Sequence, residues 1–422
     1  MTDHKQPIAA DRRAFLKTVG AAALALGTPS LGAERTGAAV PAAQTPAKVR
    51  MGVDMYSLGA QNWTPFQALE WAAKMNVNML HFSEVRFLGS TKWQEALAPD
   101  NLKKIRDKAD ELKVDIEIGM RSICPTSTDF ASAQRNDPTL GTADEQIARM
   151  LVAAKALRSP IVRCVQGVGQ DRQTGIEKHI GETIKVLKAN RSRILDSGIK
   201  LAVENHAGDM QAREMKMLIE GGGPDIVGVC LDSGNPFWAN ENPHLTLETL
   251  APYTVTSHMR DSYVFNSPQG IASQWTRMGD GNMGMEEYIR AYVQKCPGKP
   301  VSLEVIVQGA NAWRIFNYRD PAAWALFQNT PAWEFARLLS LAEKGVPKEL
   351  PPPGQGRGGG GGRGAGAPAA GAPAAGATPN ATPAAPAAGG GRQGGPNPAA
   401  QQRNLEDVEV SVKWTQAVLA KL

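Results

Sequence analysis

Residues 199–235 read IKLAVENHAGDMQAREMKMLIEGGGPDIVGVCLDSGN, and this stretch decides the fold. Residues 199–205 are a short run rich in Ile, Leu and Val, the pattern of a strand covered on both faces. Residues 211–220 carry apolar side chains at helical spacing. A second apolar run follows at 226–232. Strand, helix and strand in this order form one parallel β–α–β unit. Both strands end in chemistry, Glu204-Asn205-His206 after the first and Asp232-Ser233-Gly234-Asn235 at the end of the second.

The same alternation extends in both directions. Strand-like runs occur at 49–57, 78–84, 114–120, 160–166, 199–205, 226–232, 254–260 and 300–306. Helical patterns lie between or after them at 65–75, 99–113, 143–157, 174–197, 211–220, 245–251, 285–295 and 321–344. Pro65, Pro99 and Pro321 stand near helix starts, and Gly198 stands just past a helix end, where each fits. Eight strand–helix units over roughly 250–300 residues predict a (β/α)8 TIM barrel rather than a doubly wound open sheet. The spacing GDGNMG at 279–284 matches a dinucleotide-binding fingerprint, but no strand leads into it. It reads as a loop before the helix at 285–295.

The ends of the chain differ from this body. The 422 residues carry a net charge of +5. Residues 1–33 account for +2 and residues 351–403 for +4, which leaves the body at −1. A near-neutral body has no electrostatic footprint for nucleic acid. Residues 1–43 read as a twin-arginine signal peptide and leader, with Arg12-Arg13 ahead of an Ala/Leu-rich apolar run. They predict export to a periplasm. No other segment is apolar over ~18 residues, and no Cys precedes Cys124, so no stable membrane anchor is expected. Residues 351–403 hold 16 Gly, 10 Pro and 15 Ala and read as a disordered low-complexity linker. The domain organisation is thus a leader at 1–43, a catalytic barrel at 44–350, the linker, and a helix at 404–422 that docks back on the barrel. The four cysteines lack metal-ligand spacing and read as buried free thiols.

Four consecutive strands end in potential metal ligands: Glu204, Asp232, His258 and Glu304. In a barrel the carboxyl ends of adjacent strands converge on one mouth, where active sites sit. Three carboxylates and one imidazole there repel and lose hydration unless a cation joins them. The oxygen-rich set suits one divalent ion, Mn, Mg or Co before Zn. His206, Asn235, Arg260, His81 and Trp238 are candidate substrate-binding residues. Arg260 and Asp261 read as a substrate anchor with its supporting partner, or as an ion pair at the rim. Glu117 and Arg163 read equally as an ion pair inside the barrel or as groups with a catalytic role. Trp63, Trp238 and Trp275 are expected in loops at the mouth, where aromatic rings suit sugars.

These elements together resemble the xylose isomerase-like barrel superfamily, in particular the sugar phosphate isomerase/epimerase family. The resemblance rests on VENH at 203–206, LDSGN at 231–235, SHMRD at 257–261, GDG at 279–281 and SLEV at 302–305, and spans roughly residues 49–345. It implies that Glu204, Asp232, His258 and Glu304 bind one divalent metal. It also implies that Glu204 and Glu304 carry protons. Many epimerases of that family have His where this chain has Asn235, which cannot shuttle a proton. The same resemblance implies proton transfer beside a sugar carbonyl through a metal-stabilised enediolate, on a small carbohydrate that export suggests is unphosphorylated. The alternatives are a lyase or hydrolase of keto-sugars or keto-glycosides acting by β-elimination, and a non-catalytic sugar-binding module. Barrels of this kind often assemble as homo-oligomers.

Overall fold

The computed structural model describes residues 49–307, 312–350 and 397–422. The leader and almost all of the linker expected from the sequence lie outside the described residues. Eight parallel strands form the barrel: β1 (Met51–Asp54), β2 (Met79–Phe82), β3 (Asp115–Ser122), β4 (Ile161–Val165), β5 (Lys200–Glu204), β6 (Val227–Asp232) and β7 (Thr254–His258), with β10 (Val301–Leu303) beside β1. The ring closes just past β7. There Met259 N donates to Ser302 O at 2.6 Å, and Glu304 N donates to Met259 O at 3.0 Å. Between the parallel strands lie helices whose apolar faces pack on the barrel wall. Thr64 with Gln67, and Thr142 with Glu145, satisfy helix N-termini by reciprocal hydrogen bonds. All four cysteines are buried and free.

Several features depart from the sequence reading. The expected helix 174–197 is two helices, Ile176–Ala189 and Arg191–Ser197. Asn190 sits between them, and its side-chain amide donates to Val186 O (2.9 Å) and Asp144 Oδ1 (2.6 Å), in competition with the helix backbone. The expected helix 321–344 is a short turn at Pro321–Trp324 and a helix at Ala332–Ala342. The third departure is an antiparallel sheet after β7, read from sequence as strand end and loop. It consists of β8 (Asp261–Ser267), β9 (Gly270–Thr276) and β11 (Trp313–Phe316). Gly270 closes its turn at φ 119°, and a Cβ there would collide with the carbonyl of Phe316.

The last helix begins at Pro398, earlier than expected, and runs to Leu419. Val408, Val412 and Val418 are buried. Polar contacts fix its register. Trp71 Nε1 donates to Glu409 Oε1 (3.3 Å), Arg277 Nε to Asp407 Oδ1 (2.6 Å), and Gln416 Nε2 to Met75 O (2.8 Å). No described helix is long and apolar enough to cross a membrane.

Candidate metal centre

The barrel interior is charged. Every strand of the ring contributes one buried ionisable side chain to the lumen, from within the strand at His81, Glu117 and Arg163, and at or just past its end at Asp54, Glu204, Asp232, His258 and Glu304. Register explains the ring. Asp54 pairs with His81, His81 with Glu117, and Asp232 with His258 across neighbouring strands, so these side chains share a level and point the same way. All eight are buried, and contacts across the lumen tie β2 to β7 and β3 to β7.

Glu204, Asp232, His258 and Glu304 come together, with their donor atoms within 4.8 Å of one another. His258 Nδ1 lies 3.1 Å from Glu204 Oε2 and 3.0 Å from Glu304 Oε2. These are ion-pair distances, and Nδ1 sits between the two carboxylates. A divalent ion with six bonds of about 2.1 Å sets adjacent donors about 3 Å apart. The spacing of Nδ1 and the two carboxylates around it therefore fits an octahedral ion with oxygen-rich ligation.

Two guanidinium groups also enter the cluster. Arg163 Nε donates to Glu204 Oε2 at 2.6 Å, and a second nitrogen of Arg163 contacts the same carboxylate. Arg163 therefore does not pair with Glu117, as the sequence suggested. Glu117 instead accepts from Thr256 Oγ1 at 2.5 Å. Arg163 lies on the neighbouring strand opposite Ala202 and reaches Glu204 diagonally, a proximity invisible without the barrel's register. Arg260 Nε donates to Asp232 Oδ2 at 2.7 Å, and Arg260 also bonds Glu304. It does not pair with Asp261. That carboxylate accepts from the backbone N–H groups of Gly279 (2.9 Å) and Gly281 (3.1 Å) and so holds the GDG loop against β8.

The electrostatics follow from burial and these partners. Burial pushes Glu204 up, but Arg163 and His258 outweigh it and hold the carboxyl well below its usual range. Burial also opposes ionisation of Glu304, and Arg260 with His258 still keeps it low. Burial raises Asp232 to about 7 against the pull of Arg260, aided by repulsion from Glu204 and Glu304. Burial lowers His258, but the surrounding Cys230, Glu204, Glu304 and Asp54 carry it well above the ordinary imidazole value. Without a metal the centre thus holds ionised Glu204 and Glu304 against protonated His258.

The other candidate residues divide by position. Asn235 Nδ2 donates to Glu204 Oε1 at 3.0 Å, and its Oδ1 is buried without a partner. Trp238 stacks on Trp275 with ring centroids 4.0 Å apart, and Arg260 lies 4.2 Å from the Trp275 ring. Both indole N–H groups are buried without an acceptor. Trp63 instead leans on Trp71. His206, half-buried, bonds Gly167 O through Nδ1 at 3.0 Å. His81 is not at the mouth. It lies fully buried against His258, with its Nδ1 3.0 Å from His258 Nε2.

Two hydrogen-bond networks at this end of the barrel were not readable from the sequence. Asn205 exchanges two 2.8 Å hydrogen bonds with the backbone of Asp232 and pins the ends of β5 and β6 together. Glu84 gathers Tyr56, Arg86 (2.6 Å) and Arg121 (3.2 Å) at the ends of β1 to β3. The signal for Asn205 was its place beside Glu204 at a strand end. No spacing rule marked the Glu84 group.

Fold and site together define a (β/α)8 barrel with a cluster of three carboxylates and one imidazole at the carboxyl ends of four adjacent strands. The family described as xylose isomerase-like TIM barrel matches residues 69–325, more than half of the chain, and the chain belongs to that family. A 3-oxo-isoapionate decarboxylase of Pectobacterium atrosepticum is 25% identical over 176 residues, which cover 42% of this chain and 54% of that protein. The chain thus spans about half the length of this curated relative. Among solved structures, a 3-keto-D-glucoside 4-epimerase from Escherichia coli superposes with a TM-score of 0.46 at 12% identity, over 69% of this chain and 100% of the other. A xylose isomerase-like TIM barrel protein from Mycobacterium smegmatis in complex with magnesium does so with a TM-score of 0.46 at 13% identity, over 70% and 98%.

Proposed function

We propose that this protein is a divalent-metal-dependent isomerase or epimerase of an unphosphorylated sugar. The observation that carries this reading is the pair Glu204 and Glu304, 3.1 and 3.0 Å from Nδ1 of His258, with Asp232 in the same cluster. Glu204, Asp232, His258 and Glu304 would hold the ion. When bound, it would supply Lewis-acid stabilisation for negative charge developing beside a sugar carbonyl. The rest of the chemistry belongs to side chains. Arg163 keeps Glu204 ionised, and Asn235 orients the same carboxylate through Nδ2. Arg260 does the same for Glu304. Two carboxylates flanking one centre can take a proton and return it, which inverts a carbon or moves the proton to its neighbour. Trp275, stacked on Trp238, lies over the Arg260 guanidinium that bonds Asp232 and Glu304.

A second reading is a lyase, decarboxylating or β-eliminating, on an oxidised sugar. It is favoured by Asn235, which cannot carry a proton, and by the distant resemblance to a 3-oxo-isoapionate decarboxylase. Both reactions develop the same charge and differ in what leaves. The twin-arginine reading of residues 1–43 adds periplasmic export, which Arg12→Lys with Arg13→Lys should abolish in a cell-fractionation assay.

The test is turnover with Mn²⁺. Ketoses and 3-keto-glycosides are offered to the wild type, Glu204→Gln and Glu304→Gln, and products are resolved by NMR in D2O. Solvent deuterium at the carbon next to the carbonyl, lost in both variants by roughly 10²–10⁴-fold, supports the isomerase reading. Release of CO2 or of a β-substituent selects the lyase. No turnover of either substrate class contradicts both.

A further inference from the structure

We propose that His81 is a positioning residue for His258: it accepts a hydrogen bond from His258 Nε2–H and so fixes the tautomer that offers Nδ1 to the ion. The inference rests on the reading of His258 as a metal ligand. Nδ1 faces Glu204 and Glu304, so Nδ1 is the nitrogen that would bind. A neutral imidazole with a free Nδ1 lone pair carries its proton on Nε2. That proton needs an acceptor in a fully buried place. Cys230 also lies beside the His258 ring, and two atoms stand at measured distances from Nε2. His81 Nδ1 is 3.0 Å away, and Asp54 Oδ2 is 3.6 Å away, beyond hydrogen-bond reach.

The reverse arrangement, His81 donating to His258 Nε2, would put the proton on His258 Nδ1 and block the ion. Metal binding therefore requires His81 to accept. The position of His81 is rigid. It is fully buried on β2, its backbone carbonyl accepts from Met55 N at 3.0 Å, and its ring centroid lies 4.9 Å from that of His258. Partners of this kind orient a ligating histidine, and their loss typically weakens metal binding 10–100-fold.

The two substitutions that separate this role from packing are His81→Asn and His81→Leu. Asn places an acceptor oxygen near the position of Nδ1, whereas Leu fills similar space without one. Calorimetric titration of the metal-free full-length protein with Mn²⁺ gives the readout, with circular dichroism confirming that each variant is folded. The expected result is affinity within about threefold of wild type for His81→Asn and 10–100-fold weaker binding for His81→Leu. If His81→Leu does not fold, His81→Gln replaces it, with its acceptor one bond further out and the same weakening expected. Equal affinity in all variants overturns the proposal while leaving the metal site standing. Wild-type protein that binds no Mn²⁺, or His258→Asn that binds as well as wild type, overturns the metal-ligand reading and this inference with it.

Discussion

Arg163 shows how a single side chain sets the state of this centre. It is buried, and it holds Glu204 ionised in a place where burial alone would neutralise it. Removing one partner of a buried ion pair leaves an uncompensated charge, at a cost of roughly 3–5 kcal/mol. Arg163→Met should therefore lower the stability of the metal-free protein by about that amount in urea unfolding. Mn²⁺ should restore part of the loss, because the ion supplies a second positive charge to the same carboxylate. An equal loss with and without Mn²⁺ would contradict a shared site. At this scale the sequence was readable for Glu204, Asp232, His258 and Glu304, because each interrupts or follows an apolar strand run. Arg163 also stood out in its strand, but its partner did not. Which carboxylate a guanidinium reaches depends on inter-strand register, and strand periodicity alone leaves that open.

At the scale of elements, the antiparallel sheet after β7 carries Trp275 onto Trp238 and over Arg260. The sequence reading ran strand seven through Arg260, whereas β7 ends at His258 and the chain turns directly into β8. The alternation of β8 and β9 was legible in principle. It was masked by the apolar run before it and by the GDG spacing after it. Trp275→Ala removes both the indole stack and the face beneath the guanidinium, contacts worth about 0.5–2 kcal/mol each. Steady-state kinetics should show KM raised about 3–30-fold with kcat changed less, since Glu204 and Glu304 are untouched. A collapse of kcat at unchanged KM would place Trp275 in the chemistry instead. The final helix was readable from its Val and Leu spacing; its earlier start at Pro398 was not, because Ala- and Gln-rich residues fit a linker as well as a helix.

At the scale of the molecule, a barrel lumen lined with charge must show in its pH dependence. Burial raises Asp54 to about 6 and Glu117 to about 7 in the metal-free fold, while both groups titrate near 4 when unfolded. The folded state then binds more protons than the unfolded chain between about pH 4 and 7, so its stability falls as pH rises through that window. Glu204, held low, acts oppositely, and its contribution is lost only in acid. Metal-free protein should melt at lower temperature at pH 8 than at pH 5.5, and the gain in melting temperature on adding Mn²⁺ should be larger at pH 8. A gain that shrinks as pH rises would contradict the centre's charge balance. The central claim is that Glu204, Asp232, His258 and Glu304 hold one divalent ion, and elemental mass spectrometry of the purified protein tests it most directly. About one Mn, Mg, Co or Zn per chain is expected, lost or strongly reduced in Glu204→Gln and Glu304→Gln. A folded, stable protein that stays metal-free under every loading condition would contradict it.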